Sequence, residues 1–177
     1  RKDRMSIENL APNWMTEERK MVYESALKMF QGWEPKDEQW RKNGMIDREA
    51  WNEAGENGFL CASMPEEYGG GGGDFRDEVA IIYAQTEANQ AGFGGVVHSG
   101  IVAPYILNHA TEEQKKDWLP KMASGEYIAA IAMTEPGTGS DLQALKTYAV
   151  KDGDDYIING SKTFITNGQH ANLILLA

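Results

Sequence analysis

Up to about Gly125 the apolar positions recur at helical spacing; beyond it they form short runs separated by glycine and asparagine turns. Thr16 is a good N-cap followed by Glu17 and Glu18, and Val22, Ala26, Met29, Phe30 and Trp33 then fall on one helical face, which predicts a first amphipathic helix. Pro35 and Lys36-Asp-Glu38 mark a break, Trp40 sits in a polar setting, and Gly44 ends the segment. Asp47 opens a second helix through Ala50, Trp51 and Ala54, with Asn57-Gly58 as its stop. Asp74 caps a third whose apolar face is read as Val79, Ile82, Tyr83 and Thr86. His98-Ser99 begins another helical stretch, Ile101 to Asn108, and Thr111-Glu-Glu-Gln114 is a capping box opening a short helix through Trp118 and Leu119. Strands are predicted over Tyr127 to Met133, Lys146 to Val150, Tyr156 to Asn159, Lys162 to Thr166 and Leu173 to Leu176, with turns at Asp152-Gly153 and Asn159-Gly160.

The pattern therefore reads as α+β, a helical domain over residues 1–125 feeding an antiparallel β domain over residues 126–177. Residues 1–15 have little periodicity and are expected to form an arm. The run Gly69 to Gly73 is expected to be a surface loop, although five glycines between helices equally suit a tight loop near a ligand. The last run, Ala171 to Ala177, stops as a strand without a turn, so the chain is expected to be part of a longer one.

With 177 residues and 41% hydrophobic content, a core is assured. The net charge of −10, with no basic stripe against it, argues against nucleic acid or anionic membrane as general partners. No run is long enough to cross a bilayer as a helix. The one cysteine, Cys61, excludes an intrachain disulfide framework, fits a reducing compartment, and is read as a small core residue. His98 on its apolar helix is read as a core or capping histidine.

The stretch with chemistry is Ala132 to Asp141. An apolar strand runs into Thr134-Glu-Pro-Gly-Thr-Gly-Ser140, where proline and glycine end the strand, leave main-chain amides free and let an oxygen-rich ligand approach, while Thr134, Thr138 and Ser140 add hydroxyl donors. On spacing alone the same residues serve as a chain reversal. Glu135 and Asp141 are read as turn and helix-capping residues, not as an acid/base pair.

Met133-Thr-Glu-Pro-Gly-Thr-Gly-Ser-Asp141 resembles the first signature of the acyl-CoA dehydrogenase family. Lys146-Thr, the turn Asp152 to Asp155, and Tyr156-Ile-Ile-Asn-Gly-Ser-Lys-Thr-Phe-Ile-Thr-Asn-Gly168 follow in the family's order. Upstream, Gly58-Phe-Leu, Pro65-Glu-Glu-Tyr-Gly-Gly70, His98-Ser-Gly-Ile101 and Thr111 to Lys115 look like its helical domain, so the resemblance covers nearly the whole chain.

The resemblance implies a barrel-like middle domain, a C-terminal helical domain absent from these residues, FAD as cofactor and an acyl-CoA thioester as substrate. It sets Ile131, Met133 and Thr134 beside the flavin ring, Gly139 and Ser140 at the pyrophosphate, and Ser140 also at the CoA ligand. Phe164-Ile165-Thr166 corresponds to the second flavin segment, with Phe164 against the ring and Thr166 near N5. Several relatives carry tryptophan where this chain has Phe164; the phenyl ring keeps a stacking face but lacks the indole donor. Catalysis in the family removes the α-proton with a glutamate of the C-terminal domain and passes the β-hydrogen as hydride to flavin N5. Val96 to Gly100 and Met133 to Ala144, with Leu142-Gln143, look closest to the long-chain branch. A homotetramer and an electron-transfer flavoprotein as acceptor are further implications, as is a location in the cytoplasm of a bacterium or the mitochondrial matrix of a eukaryote. An acyl-CoA oxidase and a non-catalytic flavin- or acyl-CoA-binding protein stay open beside the dehydrogenase.

Overall fold

The computed structural model describes residues 13–177. Helix α1 (Glu17–Gly32) starts at Thr16, whose hydroxyl accepts from the Arg19 amide at 3.2 Å. A 3-10 turn at Glu34–Lys36 follows, then α2 (Asp37–Asn43), α3 (Arg48–Glu56) and α4 (Phe75–Glu87). Asp74 and Asp77 cap α4 reciprocally. A π-helix at Val96–Val102 runs directly into α5 (Ala103–His109), and α6 (Glu112–Ala123) opens with the Thr111/Gln114 capping box. Pro104 has no N–H to return to the carbonyl four residues back, which helps explain a widened ladder here.

Two apolar clusters hold these elements. The first gathers Phe30, Trp33, Trp40, Trp51, Phe93 and Ile128, with ring centroids 5.0 Å apart for Phe30–Trp33 and 4.3 Å for Trp51–Phe93. The second gathers Cys61, Val102, Ile106, Leu119, Met122 and Ala129, with Ile131, Leu173 and Leu175 packed against it. Ile128 and Ala129, neighbours in sequence, thus enter different clusters. The start of the first strand is pinned on both sides by apolar burial. Helix α3 also lies hard against the chain entering that strand, because a Cβ on Gly55 would collide with the Ser124 carbonyl.

The face read for α4 is partly displaced. Ala80, Ile81 and Ala84 are buried together with Glu78 and Gln85, whereas Thr86 is exposed. Glu78 is tolerated because its carboxylate accepts from the Ser63 amide at 3.0 Å and hydroxyl at 3.2 Å, and Gln85 because its amide donates to the carbonyls of Gln90 and Phe93. Trp40, expected in polar surroundings, is buried on the first cluster. The glycine run is a surface loop, as expected, and also a tight one: Gly71 to Gly73 are exposed, and the amides of Gly70 to Gly73 donate to the carbonyls of Pro65, Cys61, Met64 and Ala62. Most of the arm expected over residues 1–15 lies outside the described residues; Trp14 and Met15 pack against the first cluster.

The expected antiparallel, barrel-like β domain does not form. Among the described residues, β1 (Ala129–Ala132) and β4 (Leu173–Leu176) pair in parallel, Ala129 opposite Leu173, while β2 (Tyr148–Asp152) and β3 (Asp155–Asn159) make a separate two-stranded antiparallel sheet. The two sheets share no strand, so no barrel closes. The run Lys162 to Thr166 makes no strand, because Phe164 and Asn167 take left-handed backbone (φ 55° and 66°) that strand pairing cannot accommodate. Asp152-Gly153 does turn the β2–β3 hairpin. Asn159-Gly160 only ends β3, with Gly160 against Thr147, where no Cβ would fit.

Candidate functional site

Strand β1 empties into the loop that carries the hydroxyls. Glu135 and Thr138 exchange main-chain hydrogen bonds of 2.9 and 3.1 Å, closing a turn over Pro136-Gly137. The buried Glu135 carboxylate accepts from the amides of Lys146 (2.9 Å) and Thr147 (2.8 Å) and from Lys162 Nζ (3.0 Å). Its pKa is held down at about 2, by the nearby Thr147 side chain, by those two amides and by the ammonium. The Thr147 hydroxyl lies close to it but outside hydrogen-bond geometry. Thr138 Oγ1 donates to the Ala144 carbonyl at 3.0 Å. Glu135 is therefore a loop-holding residue with no free oxygen to act as a base. Asp141 precedes the 3-10 turn Leu142–Ala144, but its exposed side chain makes no capping bond, contrary to the role expected for it.

What remains free faces outward. Among the described residues, no protein acceptor takes the amides of Thr134, Gly139 or Ser140. Gly137 and Gly139 do not need positive φ, which corrects the reason expected for them, and a Cβ on either would meet only open space. Nothing in the protein's own packing requires glycine at these two positions.

The second segment is drawn to the first by two contacts: Lys162 Nζ donates to the Met133 carbonyl at 2.8 Å, and the Thr163 amide donates to the Thr134 carbonyl at 2.9 Å. Met133 and Thr134 thus abut the residues leading into Phe164. The Phe164 ring is 93% exposed on a left-handed backbone, and with Ile165 and Thr166 it borders a cleft of about 420 Å³ that also touches Met45, Ile46 and His170. Ile131 is half-buried against the second cluster. Gly139 and Ser140 are exposed at the outer end of the loop, and no hydrogen bond joins them to the Phe164 segment.

Three residues outside the predicted set organise this geometry. Lys162 ties Met133 to Glu135. Asn167 donates from Nδ2 to the carbonyls of Ala129 (3.0 Å) and Gly94 (3.1 Å). His98, fully buried, accepts from the Ala129 amide at Nδ1 (3.0 Å), which makes Nε2 the protonated nitrogen donating to the Met122 carbonyl (3.0 Å). Burial pushes its pKa down to about 4, so it is the neutral core histidine the sequence suggested. Cys61 is likewise core, its thiol pKa raised by burial. Only Asn167 carried a usable signal, the Asn-Gly pair that marks left-handed backbone.

The profile for the acyl-CoA dehydrogenase N-terminal domain matches residues 16–126, and that for the acyl-CoA dehydrogenase middle domain matches residues 130–177. The chain belongs to the acyl-CoA dehydrogenase family. The mitochondrial long-chain specific acyl-CoA dehydrogenase of Sus scrofa is 46% identical over 154 residues, covering 86% of this chain and 36% of that protein. The crystal structure of an acyl-CoA dehydrogenase from Geobacillus kaustophilus superposes with a TM-score of 0.85 at 49% identity, covering 92% of this chain and 43% of that one. An acyl-CoA dehydrogenase from Bacillus anthracis, complexed with FAD, gives 0.81 at 33% identity, covering 91% and 28%. The chain spans little more than a third of the length of its long-chain relative from Sus scrofa.

A flavin dinucleotide fits the groups this acyl-CoA dehydrogenase chain leaves uncommitted. A bare phenyl ring offers a face to a flat heterocycle, free amides at Thr134, Gly139 and Ser140 offer donors to carbonyl or phosphate oxygens, and the space over Gly137 and Gly139 admits a ligand up to the main chain.

Proposed function

We propose that this chain forms the flavin-binding part of an FAD-dependent acyl-CoA dehydrogenase that introduces an α,β double bond into a fatty acyl-CoA thioester. The observation that carries the reading is the junction of Met133-Thr134 with Lys162-Thr163, which brings the uncommitted Thr134 amide next to the segment that bears the solvent-bare Phe164 ring. Bound FAD would supply a two-electron acceptor for the β-hydrogen of the thioester. Ile131, Met133 and Thr134 would offer main-chain donors and the Thr134 hydroxyl to the ring edge, Phe164 would cover a face, and Thr166 would donate near N5. Gly139 and Ser140 would receive the pyrophosphate, Ser140 also touching the CoA moiety. The α-proton needs a desolvated carboxylate close to the substrate; Glu135 is consumed by its own loop, so that base is assigned to a glutamate outside these residues.

A long fatty acyl chain is the favoured substrate, on the likeness to the long-chain specific relative. An electron-transfer flavoprotein is the proposed acceptor; a chain in the structure of the electron transferring flavoprotein of Acidaminococcus fermentans is 37% identical, covering 88% of this chain. The natural gene product should purify yellow and bleach anaerobically on addition of a saturated long-chain acyl-CoA. Persistence of the oxidised spectrum across chain lengths overturns the reading. Rapid oxygen uptake on substrate addition would reassign the protein as an oxidase.

A further inference from the structure

Among the described residues, the open edge of β1 is held by side chains, not by a neighbouring strand. In a parallel pair, alternate residues present their main-chain groups to one side. The carbonyls of Ile128 and Ala132 accept from Asn172 and Ala177 beside β4, so Ala129, Ile131 and Met133 turn theirs to the opposite edge. Along that edge the Ala129 N–H goes to His98, the Ala129 carbonyl to Asn167 and the Met133 carbonyl to Lys162, leaving the Ile131 peptide groups between them without a strand partner. His98 is anchored on the Met122 carbonyl at the end of α6. Asn167 is anchored on the Gly94 carbonyl, just before the π-helix. A Cβ on Gly94 would collide with the Asn167 amide, so the helical wall itself has to be bare at that point for the asparagine to reach β1.

We propose that His98 and Asn167 are positioning residues, a two-sided grip on the Ala129 peptide that fixes the Ile131–Thr134 edge and the Phe164 turn in one register against the helical wall and thereby sets where the flavin ring sits. The inference rests on the reading of that edge as a flavin seat. Neither residue touches the ring. His98 acts through Ala129, two residues before the seat, and Asn167 lies one residue past Thr166, so a shift of either moves one ring-facing segment against the other.

Two amides with matched reach separate this role from simple core filling. In His98→Asn, Oδ1 can take the place of Nδ1 and keep the Ala129 bond while the Met122 bond is lost; His98→Gln reaches towards Met122 and loses Ala129. Each variant, with Asn167→Ala and Gly94→Ala, is made in the natural gene product and read by amide hydrogen exchange at Ala129, FAD dissociation constant, flavin absorption band shape and flavin midpoint potential. His98→Gln, Asn167→Ala and Gly94→Ala should weaken FAD binding about tenfold, the effect of one buried hydrogen bond, and shift band shape and potential. His98→Asn should stay near wild type on all three, with Ala129 still protected from exchange.

Equal losses in His98→Asn and His98→Gln would overturn the proposal and leave His98 as core packing. Faster Ala129 exchange in His98→Gln with band shape, potential and affinity unchanged would also overturn it, since the grip would then exist without setting the ring. A wild-type protein that takes up no FAD would instead sink the functional reading, and this inference with it.

Discussion

Acidification should destabilise this protein through His98 in a defined window. The imidazole is fully buried, its Nδ1 faces the Ala129 N–H, and around it lie the Trp51 ring (5.3 Å between centroids) and the Cys61 thiol (Sγ to Nε2 3.9 Å), none of which welcomes a second proton. An unfolded histidine protonates near 6.5, whereas burial lowers the folded value to about 4. Between those values the unfolded chain binds more protons than the folded one. Stability is thus whole above about pH 6.5, falls as acid is added, and loses nothing more from this group below about pH 4. At about 1.4 kcal/mol per pKa unit the window is worth about 3 kcal/mol. Other groups titrate nearby. Glu78, whose pKa burial raises, works with the opposite sign, because protonation relieves it, and Glu135 loses its contribution as pH falls towards about 2. A difference measurement cancels both. Urea unfolding of wild type and His98→Asn at about pH 7.5 and about pH 4 should show wild type losing about 3 kcal/mol more than the variant, which keeps an uncharged acceptor opposite Ala129. Equal acid sensitivity in the two proteins would refute the reasoning.

Phe164→Gly removes a solvent-bare ring from a left-handed position, so thermal unfolding of the FAD-free protein should stay level or rise by up to about 1 kcal/mol, while FAD titration should show affinity lowered on the order of tenfold; a fall in stability at unchanged affinity would contradict both halves. Glu135→Gln takes the charge from a carboxylate that holds two amides and Lys162, so the thermal midpoint should drop at neutral pH and the drop should shrink towards pH 2, as the wild-type carboxylate also takes up its proton. Differential scanning calorimetry across that range checks it, and a deficit independent of pH counts against the account.

Most helices were legible because what starts and stops them is local: Thr16, Asp74 and Thr111 cap within their own turns, whereas α2 (Asp37–Asn43), which has no side-chain cap, forms where the sequence was read as a break. What sequence pattern misjudged depends on partners far along the chain. Glu78 and Gln85 occupy the buried side of α4 because Ser63 and the carbonyls of Gln90 and Phe93 satisfy them, and periodicity counts only apolar residues. The sheets were misjudged for a related reason. A strand's alternation says which face is buried, not the direction of its neighbour, and β1 finds a parallel partner across a stretch that includes the whole β2–β3 hairpin.

The loop from Thr134 to Ser140 shows the same division at closer range. Its composition suggested a ligand site, and the structure leaves the amides of Thr134, Gly139 and Ser140 without a protein acceptor, but the expected cause was misplaced: Gly137 and Gly139 adopt backbone any residue could take. The loop's shape comes from Glu135, through Lys146, Thr147 and Lys162, residues eleven, twelve and twenty-seven positions away. A glycine that its own fold does not require is best explained by what must come close to it. Under the proposed function the two glycines serve the ligand, while the glutamate, the most conspicuous acid in the motif, is spent holding the loop in shape.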